Sequence, residues 1–302
     1  MAETNDKKIA EEILRLRLSQ ILINEEYKAG KFKIPIHLAL GHEAIAVAVS
    51  RVLQDGDKLI LSHRNMAYNL ARSKRLKPIL YEYLLEPTGL MGGRLGSMNL
   101  MNPARGIIYS SSILGNNFSV AAGIAMAEKI MGRGGATFVL GGDGSMEEGS
   151  FYEGLVLAKT LGLRLVFIIE NNEWSLGTHI SERRCPIDLQ QMSGSIGIQY
   201  LKLEGNHTHR YIEVLGGARE EALRRDDPAC VEVIVKTLGD RMTEDGRYIN
   251  YHSGPAPTVD MTTVVLRENE DDPLFVVRQE VGPERFGELS EKIMQELQNE
   301  IR

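Results

Sequence analysis

The stretch GGDGSMEEGSFYEGLVLAKTLGLRLVFIIENNEWSLGT, residues 141–178, decides the reading of this chain. Two apolar runs frame it: ATFVL at 136–140 leads into it, and RLVFIIE at 164–170 lies within it. Both runs are continuous rather than alternating, the pattern of strands buried on both faces of a parallel sheet. Residues 148–161 between them carry helical spacing. The segment therefore predicts strand, helix, strand, with a right-handed crossover. Asp143 directly follows the first strand, and Asn172 closely follows the second. That places both at the carboxyl ends of parallel strands, where open α/β sheets bind ligands.

The chemistry of those positions points to a metal and a phosphate. Asp143 offers a hard carboxylate and Asn172 an amide oxygen. With a backbone carbonyl, a water and phosphate oxygens they make the octahedral oxygen shell that Mg²⁺ prefers. Gly144 and Ser145 are predicted to open the following helix, where backbone N–H groups and the helix dipole cradle an anionic phosphate. Other motifs fail on the letters. An EF-hand counted from Asp143 needs Glu at its twelfth position, which is Gly154. A dinucleotide fingerprint from Gly142 needs glycine at its sixth position, which is Glu147. No Gly-Lys-Ser/Thr exists for a P-loop.

Outward from this segment the helix–strand alternation continues. Helices are predicted over residues 7–28, 42–53, 118–130, 211–224 and from about Pro283, and a third strand over ACVEVIVK at 229–236. An extended stretch is expected at 274–277. Residues 89–112, rich in Gly, Ser, Met and Asn, read as one long functional loop. The fold class is α/β, a doubly wound, mostly parallel sheet with helices on both faces. Fifteen of the 30 glycines fall between Gly89 and Gly154, as expected where backbone approaches a ligand closely.

Composition narrows the function. The 302 residues are 43% apolar and 25% charged, an ordinary globular balance. The net charge of −6 resides entirely in residues 256–302, with 11 acidic and 5 basic side chains; the rest sums to zero. This excludes non-specific nucleic-acid binding, which needs a basic excess. Two cysteines outside any CxxC spacing support neither structural zinc nor a disulfide framework. The charged start MAETNDKKIAEE is no signal peptide, and no run reaches the ~18 apolar residues of a membrane span. A cytoplasmic protein is expected. Residues 1–255 are taken as the ligand-binding body and 256–302 as an acidic tail with a terminal helix, either a docking or capping element or a solvated surface helix.

The span from Asp143 to Asn172, with Glu170 and Gly177-Thr178, resembles the thiamine diphosphate motif. More closely it resembles the alpha subunit of pyruvate dehydrogenase-type 2-oxo acid dehydrogenases. The resemblance implies that Asp143 and Asn172 bind Mg²⁺ together with the backbone carbonyl of Trp174, and that Gly144 and Ser145 contact the diphosphate. IPIHLALGHEAIAVAVSRVL, residues 34–53, is similar to the family's His-x-x-x-Gly-Gln-Glu-Ala segment and places His37 on its active-site histidine. LILSHRNMAY, residues 59–68, matches its Tyr-Arg-x-His region, with Arg64 as the diphosphate-binding arginine and His63 in the tyrosine's place. Met66 and Asn99 stand where family histidines occur. SSSILGNNFSVAAGIAMA, residues 110–127, resembles the segment that grips the aminopyrimidine, implicating Ser112 and Leu114.

Downstream, LEGNHTHRYIEVLGGAREEAL, ACVEVIVKT and GRYINYHSGPAP are similar to the amino-terminal half of transketolases, as is Glu147-Glu148-Gly149. There a histidine before Gly-x-Pro relays protons above the diphosphate, which implies His252. His37 and His252 are the candidates for stabilising a substrate oxyanion or moving protons, as imidazoles titrating near pH 7. The activating glutamate of this superfamily lies on a separate pyrimidine domain. About 45 residues follow the His252 loop, too few for such a domain. The expectation is a beta-like partner subunit carrying that glutamate, an alpha2beta2 heterotetramer, and a chain inactive alone. The resemblance implies C–C cleavage next to a carbonyl of a 2-oxo acid with acyl transfer. The alternatives are a split transketolase-like or acyl/ketol transferase that adds a two-carbon unit to an aldehyde or ketone acceptor, with a ketose as substrate, and a non-catalytic scaffold.

Overall fold

The structure, a computed structural model, describes residues 2–302, with side chains from Asp6 onward. Six strands form one all-parallel sheet: β1 (Lys58–Leu61), β2 (Ile107–Ser110), β3 (Thr137–Gly142), β4 (Leu165–Asn171), β5 (Gln199–Leu203) and β6 (Ala229–Ile234). Their spatial order is β2-β1-β3-β4-β6-β5. The chain thus steps outward from β1 to β2, then returns past β1 to lay down β3. That reversal opens a crevice at the carboxyl edge beside β1 and β3.

The strands bury both faces with a period of two. Leu59, Leu61, Phe138, Leu140, Val166 and Ile168 face one core. Ile60, Val139, Leu165, Phe167, Ile169 and Cys230 face the other. The first core is closed by α1 (Ala2–Lys28), α2 (Glu43–Val52) and α3 (Met66–Ser73), with the later helix Thr208–Arg225. The second is closed by α4 (Asn116–Ile130) and α5 (Gly149–Leu161). Gly141 is required where α4 meets β3, because a Cβ there would lie 2.2 Å from the Phe118 ring.

Three expectations change. The 89–112 loop contains strand β2, too short for its own pattern to announce it. Residues 274–277 are not extended but lie in the helix Pro273–Val281, capped by the Asp272 side chain, which accepts from Leu274 N–H at 2.9 Å. Proline at the first helical position fits that start. Gly144 and Ser145 do not open α5: Asp143–Glu147 form a 3₁₀ turn and α5 begins at Gly149.

The tail is packed onto the body. Leu274, Val277, Phe286, Leu289, Ile293 and Leu297 join the first core with α1. Arg17 of α1, wholly buried, donates to Glu43 at 2.7 Å and to Asp272 at 2.9 Å. Among the described residues no helix is long and apolar enough to cross a membrane.

Candidate functional site

Because every strand of the sheet runs the same way, five of them deliver residues to one edge. β1 leads to His63 and Arg64, β2 to Ser112 and Leu114, β3 to Asp143, β4 to Asn172, and β6 to Thr237. His37, from the segment before α2, and His252, from the loop before the tail, complete a cleft of about 290 Å³.

Asp143 is 1% exposed, and burial raises its pKa against the opposing pull of Arg183. Its Oδ1 accepts from the Asn172 backbone N–H at 3.4 Å, and its Oδ2 accepts from Arg183. Arg183 also donates to Glu147. The Asn172 side chain accepts from Trp174 N–H at 3.0 Å and donates to Thr237 Oγ1 at 2.7 Å. Trp174, Ser175, Thr178 and His179 form a two-strand hairpin that folds over this corner. Gly144 is its floor: a Cβ there would meet the Ser175 side chain at 2.6 Å. Ser145 donates its hydroxyl to Gly142 O at 2.6 Å, tightening the 3₁₀ turn.

Opposite this corner the three histidines meet. Ring centroids are 5.0 Å apart for His37–His63, 5.1 Å for His37–His252 and 5.7 Å for His63–His252. Arg64 lies behind them, donating to Leu38 O at 2.5 Å and His252 O at 3.1 Å. No carboxylate among the described residues pairs with this buried guanidinium. Glu170 offsets part of its burial from a distance, but no anion touches it, and a buried cation without a contacting counter-charge is costly unless an anion arrives. Burial, reinforced by Arg64, lowers His37 and His63 to about 3 and His252 to about 4. This corrects the expectation of imidazoles titrating near pH 7. The rings are neutral there, weak bases suited to hydrogen-bonding an oxygen of a ligand. His37 Nδ1 is buried with no partner, a donor or acceptor left for one.

Every site residue read from the sequence therefore borders one cleft, though Ser112 and Leu114 stand at its rim, with Leu114 49% exposed. Sequence reasoning missed Arg183 and, apart from Glu170, a buried chain in the wall of the cleft. In that chain Tyr68 OH donates to Glu170 Oε1 at 2.6 Å. His42 bonds the same oxygen through Nδ1 and Thr237 Oγ1 through Nε2, each at 2.9 Å. The available signal was Gly41-His42-Glu43, where the resembling segment has glutamine in the middle. His207 and His209, which could have suggested a metal pair, stand at the start of the helix Thr208–Arg225, away from the cleft.

Comparison with known proteins gives a consistent answer. Residues 14–247 match the family model described as dehydrogenase E1 component. The pyruvate dehydrogenase E1 component subunit alpha of Rickettsia felis is 28% identical over 295 residues, covering 96% of this chain and 86% of that protein. The subunit of the same name from Rickettsia prowazekii is 31% identical, covering 78% and 73%. The alpha subunit of acetoin:2,6-dichlorophenolindophenol oxidoreductase from Bacillus subtilis is 27% identical, covering 74% and 67%. In three dimensions the chain is similar to transketolase from Campylobacter jejuni, with a TM-score of 0.61, 19% identity, and coverage of 97% of this chain and 48% of that one. Transketolase from Leishmania mexicana gives 0.62, 17%, 98% and 48%. The fold is shared, and the chain spans about half the length of those transketolases.

Proposed function

The chain belongs to the dehydrogenase E1 component family, and from that premise we propose that it is the alpha-type, diphosphate-binding subunit of a thiamine diphosphate-dependent oxidoreductase that decarboxylates a 2-oxo acid. The observation that carries this reading is the meeting of Asp143 and Asn172 at adjacent strand ends, beside Gly144 and in one cleft with the buried Arg64.

The residues fit the group. Asp143, the Asn172 amide oxygen and the Trp174 carbonyl are oxygen donors of the kind Mg²⁺ takes. Gly144 and Ser145 line the cleft beside Asp143, where a diphosphate would meet their backbone, and Arg64 and His63 supply a cation and a neutral donor. Ser112 and Leu114 present backbone at the rim for the aminopyrimidine. Bound thiamine diphosphate supplies the electron sink for cleaving the bond next to a carbonyl. The chain's own work is placement and charge. His37 and His252, held neutral, hydrogen-bond the substrate's carbonyl oxygen and favour the negative charge that grows there.

The acids that line the cleft, Asp143 and Glu170, are both occupied by other partners. The activating glutamate is therefore assigned to a beta-like subunit in an alpha2beta2 assembly. An apolar strip runs from the rim along the outer faces of α4 and α5. Ile113 is 69% exposed, Ile130 76%, Met131 61% and Val156 50%. A strip of that kind marks a protein interface.

Calorimetry with the co-purified complex tests the assignment: thiamine diphosphate binds only with Mg²⁺, and Asp143→Asn abolishes binding. Absence of binding in the wild-type complex refutes the cofactor reading. Turnover of a 2-oxo acid by the pure chain alone refutes the split site. Carboligation without reduction of a lipoyl domain moves the assignment to the transferase alternative.

A further inference from the structure

An asparagine amide has two ends that exchange by a half-turn, and only one is a metal ligand. Two contacts decide the orientation of Asn172: the Trp174 N–H on one side, which only donates, and the Thr237 hydroxyl on the other, whose role is set by groups further back. Glu170 Oε1, 5% exposed as a residue, faces two neighbours, Tyr68 OH at 2.6 Å and His42 Nδ1 at 2.9 Å. A carboxylate only accepts, so Tyr68 donates to it and His42 carries its proton on Nδ1. In the neutral ring His42 Nε2 is then a bare acceptor, and its partner at 2.9 Å is the Thr237 hydroxyl, which donates to it. With its one proton spent, Thr237 Oγ1 can only accept from Asn172 at 2.7 Å, and the group that can donate is the Nδ2 amide. The oxygen is left on the other side, where it receives Trp174 N–H at 3.0 Å and keeps a second lone pair.

We propose that Glu170, His42 and Thr237 are positioning residues that hold Asn172 as an oxygen donor to the divalent cation. This rests on the Mg²⁺ site assigned above. Each link removes one choice from the next: the acid fixes the tautomer, the tautomer fixes the hydroxyl proton, and the proton fixes the amide. If Thr237 were free to donate, it would compete with the Trp174 N–H for Oδ1, and the metal would face an NH₂ group in the turned amide. His42 is 2% exposed and sits immediately before α2, on a segment fixed by the core, so it cannot drift from the chain. Outer partners of this kind typically govern metal affinity by roughly tenfold to a hundredfold.

The test compares wild type, Thr237→Val and Thr237→Ser as isolated full-length protein with any co-purifying partner. Mg²⁺ is titrated at fixed thiamine diphosphate and read by intrinsic tryptophan fluorescence, to which this chain contributes Trp174 alone. Thr237 is only half-buried, so the valine variant is expected to fold, with a Tm close to wild type. The expected result is a half-saturating Mg²⁺ concentration raised at least ~10-fold in Thr237→Val and close to wild type in Thr237→Ser. An unchanged midpoint in Thr237→Val overturns the proposal, as does a serine variant that falls with the valine. Wild type showing no Mg²⁺ dependence at all overturns the metal site itself, and the positioning role with it.

Discussion

Arg183→Gln should act in opposite directions on the empty and the loaded protein. In the structure the Arg183 guanidinium, 9% exposed, pairs with Asp143, which is 1% exposed, and with Glu147, which is 27% exposed. A Mg²⁺ ion at Asp143 draws on the same carboxylate charge that Arg183 now holds, and the two cations repel each other across it. Removing one partner of a wholly buried pair costs about 3–5 kcal/mol. Here the Glu147 side is open to water, and about 2 kcal/mol is the appropriate figure. Without ligands, Tm should fall by about 4–8 °C, at roughly 2–4 °C per kcal/mol for a domain of this size. With ligands, the substituted protein has no internal cation to displace. The same ~2 kcal/mol reappears as tighter binding, about 30-fold in half-saturating Mg²⁺ at 1.4 kcal/mol per factor of ten. Scanning calorimetry in chelator, followed by Mg²⁺ titration at fixed thiamine diphosphate, reads both. A lower Tm with an unchanged or raised Mg²⁺ midpoint refutes the competition and leaves Arg183 a structural clamp.

Three further outcomes follow from the same geometry. Arg17→Met leaves Glu43 and Asp272 buried without their cation and should cost about 3–5 kcal/mol in urea unfolding; a loss under 1 kcal/mol contradicts the role given to this trio. The Glu82 carboxylate, fully buried, accepts from Met91, Gly93 and Leu95 N–H, each at 2.8 Å. Glu82→Gln should destabilise by about 2 kcal/mol and speed proteolysis within residues 86–100, whereas unchanged cleavage means the loop is held otherwise. His37, His63 and His252 have folded pKa values of about 3 to 4, below the unfolded value near 6.5. The unfolded chain therefore binds protons first as pH falls. The stability these rings confer is whole above pH 6.5 and lost toward pH 4. The fall of Tm across that window should be shallower in His63→Gln, and an identical profile contradicts it.

The strands that were legible in the sequence are the ones whose own letters suffice. β3 and β4 are long, apolar runs in the centre of the sheet, and Asp143 and Asn172 could be placed at their ends without coordinates. β1 has four residues, KLIL, and β2 has IIYS inside a Gly-rich stretch. Each is a strand because β3, or β1, pairs with it, and that partner is remote in sequence. β5, QYLKL at the sheet edge, buries only Leu203 fully and lacks an apolar run altogether. The helix at 273–281 was misread because LFVV favours strands, while the stronger signal, Asp272 capping Pro273, lies just before it. Side-chain relations were less legible still. Arg183 reaches Asp143 across 40 residues and His42 reaches Glu170 across 128. Nothing in local pattern records such distances; only the shared strand edge brings them together.

That edge also explains why two helices defy the usual one-sided pattern. α4 buries Phe118, Ala121, Ala122 and Ala125 against the sheet, yet Met126, Ile130 and the following Met131 are 40%, 76% and 61% exposed. α5 buries Phe151, Leu155 and Ala158, yet Val156 and Leu157 are 50% and 42% exposed. A helix apolar all round belongs in an interior, whereas surface helices carry charge on their outer face. In this chain the outer faces of α1 and of the helix Thr208–Arg225 are charged as that rule requires. Among the described residues the exception is confined to these two helices, with Ile113 and Leu114 continuing it to the rim of the cleft. A partner seated there would cover the apolar strip and close the mouth of the cleft at once. On the function proposed above, binding of a second subunit and completion of the site would be one event.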